Sequence, residues 1–342
     1  MTDSIIFQEI KGTGIIHLNR PKSLNALSLE MAELYLYQLK KWENDSKIKQ
    51  VLLTGEGKAL CTGGDIKSMF LSSGVSNLKK NFLFKEYTLN YIISKFSKPY
   101  LSIWDGIVMG GGVGLSIYGN IRVASEKAKF AMPETAIGFF PDVGGSYFLS
   151  RLIKGVGLYL GLTGQTINAI EMISFGLATH FQYSKNLESI KKNYINQEVL
   201  PDSKIIKEKQ SKILDNLKFI QKTFQGDLLS ITNNLKNSSL EFAKQTYSHL
   251  QTRCPMSLAV TVELLKRAET KSLRECLEME YQLSQHIVYR EDFNNGVEAI
   301  LVTKTYNPTW CPSSIHDINF EEVDKFFEPH IEPLGLEKYD KK

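Results

Sequence analysis

The segment QVLLTGEGKALCTGGD, residues 50–65, decides the predicted fold. Its first part, Gln50 to Thr54, is a short apolar run that ends at Gly55, as expected of a strand buried in a parallel sheet. The remainder, residues 55–64, is predicted to be a loop that leads into a helix. The same order of strand, small-residue turn and helix recurs further along the chain, so this segment sets the pattern of an α/β core.

The sequence before this segment predicts a hairpin and one helix. Residues 5–18 contain two strand-like runs that are broken at Gly12 to Gly14. Ser28 is a candidate N-cap for the helix that follows. The apolar residues of that helix share one face and are Met31, Leu34, Tyr35, Leu39 and Trp42.

The sequence after residue 65 continues the alternation and then becomes helical. Strands are predicted at 99–104, 121–124 and 129–132, and a glycine-rich turn, residues 110–114, opens a helix. From Val156 onward the pattern is almost entirely helical, including a Lys- and Asn-rich stretch. We therefore predict two parts, an α/β core over 1–182 and a helical C-terminal region over 183–342.

Composition excludes several classes of protein. The chain has 342 residues, of which 42% are hydrophobic and 23% are charged, as expected of a globular protein rather than a disordered or fibrous one. The four cysteines are scattered, which argues against a disulfide framework or a clustered zinc site. A net charge of +4 with dispersed lysines indicates a solvated face or a small phosphate-bearing ligand and argues against a nucleic-acid surface.

Location is predicted from the N-terminal residues. Residues 1–12 have neither the order of a secretory signal nor the Arg and Ser content of a transit peptide. The longest weakly polar stretch, residues 103–121, contains Asp105 and six glycines, which argues against a bilayer span. We expect a cytoplasmic protein without a membrane partner, and a mitochondrial matrix protein shown without its leader is the alternative.

Two turns between a strand and a helix are candidates for anion binding. They are residues 61–65, CTGGD, and residues 109–112, MGGG. Free backbone N–H groups at helix starts suit a negatively charged oxygen, so two such turns could form an oxyanion hole. The alternative is that the glycines only allow close packing of helix and strand. Carboxylates nearby in the sequence favour the first interpretation.

Three carboxylates are candidates for chemistry. Glu134 and Asp142 lie in short loops beside Pro and Gly, where a rigid scaffold carries catalytic groups. Glu86 lies within the apolar stripe of a helix predicted over 77–96. Burial of an unpaired carboxylate costs several kcal/mol, so Glu86 needs a partner, a raised pKa or a cleft, unless it lies at the edge of the stripe and reaches water. The sequence leaves both alternatives open.

Other familiar sites match poorly. The run Gly110 to Gly114 resembles part of a dinucleotide fingerprint, but no acidic residue ends a following strand at the usual distance of about 20 residues. Residues 114–119 do not form the GxSxG motif of serine hydrolases, and no histidine has an evident partner. The GxxxxGK[ST] phosphate-binding motif is missing from the sequence.

Several ordered motifs resemble the enoyl-CoA hydratase/isomerase, or crotonase, superfamily. They are NRP at 19–21, CTGGDI at 61–66, MGGG at 109–112 and FAMPE at 130–134. Within the superfamily, longer segments resemble the 3-hydroxyisobutyryl-CoA hydrolase family. They include MPETAIGFFPDVGGSYFLSRL at 132–152, EYQLSQ at 280–285 and DFNNGVEAILVTK at 292–304. The similarity covers nearly the whole chain, and residues 183–250 are the most divergent.

This resemblance implies a fold and a set of site residues. The fold is a ClpP-like spiral of ββα units followed by a helical C-terminal region that completes the acyl-CoA pocket. The backbone amides of Thr62 and Gly111 would hold the thioester oxygen, and Thr62 departs from the usual Ala without changing the N–H donor. Glu134 corresponds to the catalytic glutamate, and Glu86 and Asp142 match substrate-binding positions of the acyl pocket.

The resemblance also separates a hydrolase from a hydratase. A hydratase carries a second glutamate on the helix after the glycine turn, and this chain has Gly114 there. Asp142 is an additional acid typical of the hydrolase, and a 3-hydroxyacyl group offers it a hydroxyl. We therefore expect hydrolysis of 3-hydroxyisobutyryl-CoA or a close 3-hydroxyacyl-CoA, as in valine breakdown. The alternatives are a hydratase or isomerase and a non-catalytic binding protein with this fold.

The remaining expectations concern the rest of the substrate. Arg20, Lys22 and Lys304 are candidates for contacts to the phosphates of CoA, with an ordinary surface role as the alternative for each. Coenzyme A is part of the acyl-CoA substrate, and no other cofactor and no metal is implied. Members of the superfamily are often trimers or dimers of trimers, so the oligomeric state of this chain is left open. The choice between Glu134 as nucleophile and Glu134 as general base is also left open.

Overall fold

A computed structural model describes residues 3–72, 77–197, 202–204 and 211–340 of the chain. Its nine strands are β1 (Ile5–Ile10), β2 (Thr13–Leu18), β3 (Gln50–Gly55), β4 (Ala59–Cys61), β5 (Tyr100–Trp104), β6 (Ile107–Met109), β7 (Ile121–Ala124), β8 (Lys129–Ala131) and β9 (His180–Phe181). Six strands form one sheet in the order β1-β2-β3-β5-β7-β9, and β4-β6-β8 form a second sheet. All neighbours are parallel except β1 and β2.

The described helices surround these sheets and fill the C-terminal part of the chain. They are α1 (Leu29–Asn44), α2 (Ile66–Leu71), α3 (Leu78–Lys95), α4 (Gly111–Gly114), α5 (Gly145–Leu149), α6 (Val156–Thr163), α7 (Ala169–Ser174), α8 (Leu187–Ile195), α9 (Lys212–Asp215), α10 (Leu217–Thr223), α11 (Leu228–Lys236), α12 (Glu241–Leu250), α13 (Pro255–Ala268), α14 (Leu273–Ile287), α15 (Glu291–Val297) and α16 (Phe320–Lys325). As predicted, Ser28 caps α1, because its side chain accepts a hydrogen bond from the Met31 N–H.

The second sheet was not predicted. The sequence analysis treated residues 55–64 as a loop, whereas Ala59–Cys61 form β4, which pairs with β6. It also missed β9, which lies in a stretch predicted to be helical. Two or three residues are too few to show a hydrophobic period, so pairing with neighbouring strands decides these elements. Predicted helical residues at 198–201 and 205–210 lie outside the described part of the chain.

The second sheet brings three functional segments together. Each of its strands follows a longer strand of the first sheet, so a β-β unit is repeated three times. β4 ends at the turn 62–65, β6 ends at Gly110, and β8 ends just before Pro133 and Glu134. Because carboxyl ends of neighbouring parallel strands meet at one edge of a sheet, these segments lie side by side.

A continuous hydrophobic core connects the sheets with the C-terminal helices. It includes Trp42 and Trp104 near the sheets, Leu283 in α14 and Leu336 close to the C-terminus. The division at residue 182 therefore stays a prediction, although both sheets end by Phe181. Within the described ranges, the helices are too short or too polar to cross a bilayer.

Gly112 is the closest packing point between the two glycine turns. A Cβ atom at this position would lie 2.3 Å from the carbonyl oxygen of Cys61 at the end of β4. Because that neighbour is backbone, it cannot move aside as a flexible side chain could. The approach of the first turn of α4 to β4 therefore requires glycine at position 112.

We predict that Gly112→Ala lowers the free energy of unfolding by about 1–3 kcal/mol or more, as overpacking does in tight cores. Chemical denaturation of the purified chain measures the change. Gly161→Ala in α6 is the matched control, since its Cβ would lie 3.3 Å from the nearest atom, a methyl group of Thr261. Equal stability of the two variants would contradict the close approach of the turns.

Candidate active site

The two glycine turns present backbone N–H groups to a common space. A Cβ on Gly111 would lie 3.2 Å from the nitrogen of Gly64, and a Cβ on Gly63 would lie 3.5 Å from the nitrogen of Gly111. Gly63 and Gly110 have φ angles of 110° and 49°, which few residues other than glycine adopt. Among the described residues, neither the Gly64 nor the Gly111 N–H has a backbone acceptor. The pair can therefore bind an oxygen that carries negative charge.

Thr62 does not supply the donor that the sequence analysis assigned to it. Its N–H donates to the carbonyl oxygen of Leu24 at 3.2 Å, and this bond contradicts a free amide at position 62. Gly64, two residues further on, faces Gly111 instead. A side chain at position 64 would clash with Phe82, since its Cβ would lie 2.8 Å from the ring, and only the three-dimensional structure shows this. The role of Gly111 stays a prediction.

Glu134 and Glu86 lie directly against the glycine turn. Glu134 Oε1 is 3.0 Å from the position of a Cβ on Gly110, and Glu86 Oε1 is 2.1 Å from that of a Cβ on Gly111. Their side chains are buried, with 7% and 2% of each residue exposed, so Glu86 does not reach solvent from the edge of its helix. Glu134 Oε2 and Glu86 Oε1 are buried without a hydrogen-bond partner among the described residues.

Asp142 completes a cluster of three buried acids. Its Oδ2 accepts a hydrogen bond of 2.8 Å from the hydroxyl of Tyr87, which lies beside Glu86 on α3. Burial raises the pKa of Asp142 to about 7, although the Tyr87 hydrogen bond acts in the opposite direction. Sequence reasoning missed Tyr87, since a single tyrosine on a helix gives no separate signal.

The electrostatics of the cluster favour protonation. Burial is the largest cause that raises the pKa of Glu134 well above its usual value, and the charge of Asp142 is the next. The same two causes raise the pKa of Glu86. Acids that share a buried site titrate together, so the cluster retains protons near neutral pH and can both accept and donate them. In the described ranges, no group of three or more His, Cys, Asp or Glu side chains is arranged to hold a metal ion.

Glu280 of α14 holds the loop that carries Asp142. Its carboxylate accepts hydrogen bonds from the Gly144 N–H at 2.6 Å, the Ser146 N–H at 3.0 Å and the Ser146 hydroxyl at 2.5 Å. These bonds lower the pKa of Glu280, but burial raises it more, to about 8. Glu280 lies in the matched motif at 280–285, yet its partners are some 134 residues away, so no local pattern revealed its role.

The same loop stores backbone strain. Val143 has a φ of 54°, which is a rare value for a β-branched residue. Its carbonyl oxygen accepts a hydrogen bond of 2.7 Å from the Tyr118 hydroxyl, and the next residue is bound by Glu280. Contacts on both sides of Val143 therefore maintain the conformation that places Asp142 in the cluster.

The C-terminal helices also pack on the segment that follows Glu134. A Cβ on Gly296 of α15 would lie 2.5 Å from the carbonyl carbon of Ile137. A Cβ on Gly138 would lie 2.5 Å from the carbonyl oxygen of Asp292. Residues from the helical part thus fix the positions of both Glu134 and Asp142.

The three cations predicted to contact phosphate have different surroundings. The Arg20 guanidinium donates to Asp65 Oδ2 at 2.9 Å and to the Ala26 carbonyl oxygen at 2.6 Å, so it holds the turn 62–65. Lys22 and Lys304 are exposed and are not brought into the acid cluster. Phosphate contact remains a prediction for these residues, and for Arg20 the structure shows a positioning role.

Comparison with known proteins places the chain in a family. Residues 13–327 match the family model described as enoyl-CoA hydratase/isomerase. The chain belongs to this family. It is 42% identical to the mitochondrial 3-hydroxyisobutyryl-CoA hydrolase of Xenopus laevis, over 92% of this chain and 86% of that protein. The corresponding Homo sapiens protein is 38% identical, over 94% and 88% of the two chains.

Solved structures of other family members share the fold. A carnitinyl-CoA dehydratase from Mycobacterium thermoresistibile is 34% identical with a TM-score of 0.92, and the match covers 98% of this chain and 99% of that one. An enoyl-CoA hydratase from Rhodobacter sphaeroides is 30% identical with a TM-score of 0.91, covering 96% and 98%. The predicted crotonase fold with a helical C-terminal region is thereby confirmed.

Proposed function

We propose that this protein hydrolyses the thioester of 3-hydroxyisobutyryl-CoA, or of a close 3-hydroxyacyl-CoA, to the free acid and CoA. The observation that carries the proposal is the position of three buried acids beside two backbone amides that lack a backbone acceptor. The names of the two curated relatives described above support the same substrate and, through it, a role in valine breakdown. The proposed reaction uses these residues and water, with CoA as part of the substrate.

The backbone amides of Gly64 and Gly111 act on the thioester carbonyl. Its oxygen gains negative charge when the carbonyl carbon is attacked, and the two N–H groups stabilise that charge. Donors fixed by the backbone need no reorganisation during the reaction, and removal of a single such donor typically slows an enzyme by about 10²–10³-fold. Gly111 therefore keeps the role expected from the sequence, and Gly64 takes the role expected for Thr62.

Glu134 starts the reaction in its ionised form. As a nucleophile, it attacks the carbonyl carbon, the C–S bond breaks, the CoA thiolate takes up a proton, and water then opens the mixed anhydride. As a general base, it takes a proton from water while the water oxygen attacks the same carbon, and the C–S bond then breaks as the CoA thiolate takes up a proton. Solvent ¹⁸O that appears in Glu134 during turnover favours the anhydride.

Asp142 and Glu86 complete the acyl pocket. Because burial raises its pKa, Glu86 holds a proton that can be given to the leaving thiolate or to a hydrogen bond with the 3-hydroxyl. Asp142 orients either the 3-hydroxyl of the substrate or the group that transfers the proton, and Glu86 assists Asp142 in this role. Tyr87 and Glu280 position Asp142 and are not themselves assigned a step.

Hydration of a double bond is less well supported. The second glutamate expected of a hydratase is replaced by Gly114, and a Cβ at that position would lie 2.7 Å from both Asn90 Nδ2 and Val143 Cβ. A glutamate could not be placed there without moving α3 or the Asp142 loop. The intact acids and amides also argue against a purely non-catalytic binding protein.

Two further assignments follow from the proposed substrate. Lys22 and Lys304 are proposed contacts to CoA phosphates, since both are exposed cations next to matched motifs. For location we propose the mitochondrial matrix, the alternative to the expected cytoplasm, because the similar hydrolases are named as mitochondrial proteins. A homo-oligomer stays a prediction.

We predict that Glu134→Gln lowers kcat for release of free thiol from 3-hydroxyisobutyryl-CoA by at least about 10²-fold, because an amide is neither a base nor a nucleophile. A thiol-reactive dye measures the release. Glu188→Gln, at a side chain that is 85% exposed, is the control and should match the unaltered chain. Substantial activity of Glu134→Gln would remove Glu134 from its proposed role.

The pH dependence of kcat/KM tests the coupling between Asp142 and Glu134. The negative charge of Asp142 disfavours ionisation of Glu134 and so raises its pKa, and Glu134 works only when ionised. We therefore predict that Asp142→Asn moves the acid-side midpoint of kcat/KM to lower pH, measured on the residual activity. Asp142→Glu, which keeps the charge, is the control. A midpoint that is unchanged or higher in Asp142→Asn would contradict the coupling.

A further inference from the structure

Asn90 is a buried asparagine that has no role in the proposed reaction described above. It lies on α3 one turn after Glu86, and its residue is 0% exposed. Both polar atoms of its side chain, Oδ1 and Nδ2, lack a hydrogen-bond partner among the described residues, as does the neighbouring Glu86 Oε1. Three polar atoms on one helix face are thus buried together without partners.

The packing of α3 against α4 places these atoms at the acyl pocket. Glu86 rests on Gly111, the oxyanion-turn residue, and Asn90 rests on Gly114, one turn further along the same helix. The contact of Gly114 with Val143 brings Asn90 next to the loop that begins at Asp142. Glycine at both positions of α4 leaves room for the carboxyl group and the carboxamide of α3.

The energetic cost indicates that these groups, which do not hydrogen-bond each other, bind a shared molecule. A buried donor or acceptor without a partner costs about 1–3 kcal/mol, and an asparagine carries two donors and an acceptor. Side chains four residues apart on a helix are neighbours, with about 5–6 Å between their Cβ atoms. That spacing, without a direct hydrogen bond between the two side chains, suits one bridging water molecule between the Glu86 carboxyl and the Asn90 carboxamide.

We propose that Asn90 is a positioning residue that fixes the protonated carboxyl of Glu86 through this bridging water molecule and so makes the pocket selective for a 3-hydroxyacyl group. The water molecule accepts from the acid O–H of Glu86 and donates to the carboxamide oxygen of Asn90, so Asn90 directs the remaining hydrogen-bonding capacity of Glu86 towards the substrate. Because position 114 is glycine, the Asn90 carboxamide occupies the space that a side chain there would fill. The pocket thus gains a contact that selects for the 3-hydroxyl. The inference rests on the proposed thioester hydrolysis.

The test compares two substrates that differ only in the 3-hydroxyl, 3-hydroxyisobutyryl-CoA and isobutyryl-CoA. The measured quantity is the ratio of their kcat/KM values for thiol release by the full chain. Asn90→Leu preserves size but removes the hydrogen bonds, and we expect it to lower the ratio by about tenfold, the effect of one lost hydrogen bond to a buried group. Thr88→Val is the matched control, because Thr88 is a buried residue of the same helix whose hydroxyl donates to the Phe84 carbonyl oxygen at 2.7 Å.

A second comparison shows whether Asn90 acts through Glu86. We expect Glu86→Gln to lower the ratio as well and Glu86→Gln with Asn90→Leu to lower it no further, since coupled residues are not additive. Asn90→Asp, which keeps an acceptor, should retain more of the ratio than Asn90→Leu.

Each contrary outcome has a distinct meaning. If Asn90→Leu reduces both substrates equally, or if the double variant adds the two effects, Asn90 does not position Glu86 and the inference is overturned. The inference also falls if the unaltered chain hydrolyses both substrates equally well. If the unaltered chain hydrolyses neither substrate, the proposed function itself fails.

Discussion

The contact between the two glycine turns is the constraint on which the site depends. A Cβ on Gly112 would lie 2.3 Å from the carbonyl oxygen of Cys61, which excludes a side chain there, and Gly111 lies against the amide of Gly64. The short sheet β4-β6-β8 imposes this approach by ending three parallel strands at one edge. The same approach leaves two backbone N–H groups side by side, and Glu134 lies beside them because it follows the third strand, β8. The chemistry therefore follows from a packing requirement of the core.

The acids around these turns show how the fold supports an arrangement that is unfavourable in isolation. Glu86, Glu134 and Asp142 are buried close together, and burial raises the pKa of each. The surrounding structure holds them in place through Tyr87, through the three hydrogen bonds to Glu280, and through a strained backbone at Val143. Because Glu280 lies on α14, the C-terminal helices are part of the site and do more than cover it.

The sequence predicted elements that have a strong local signal. Strands of five or six residues, the Ser28 cap and the position of Glu134 beside a glycine turn follow from periodicity, capping chemistry and an ordered motif. The three-residue strands β4 and β6 carry no such period and depend on pairing with distant segments. For the same reason the choice of Gly64 over Thr62 and the roles of Tyr87, Asn90 and Glu280 required the three-dimensional structure.

The central claim is that two backbone amides and buried acids act on a thioester carbonyl rather than on a double bond. Incubation of the unaltered chain with 3-hydroxyisobutyryl-CoA and, separately, with crotonyl-CoA tests it most directly. The account predicts free thiol from 3-hydroxyisobutyryl-CoA and unchanged enoyl absorbance with crotonyl-CoA. Loss of the enoyl absorbance without release of thiol from the hydroxyacyl substrate would contradict it and indicate a hydratase.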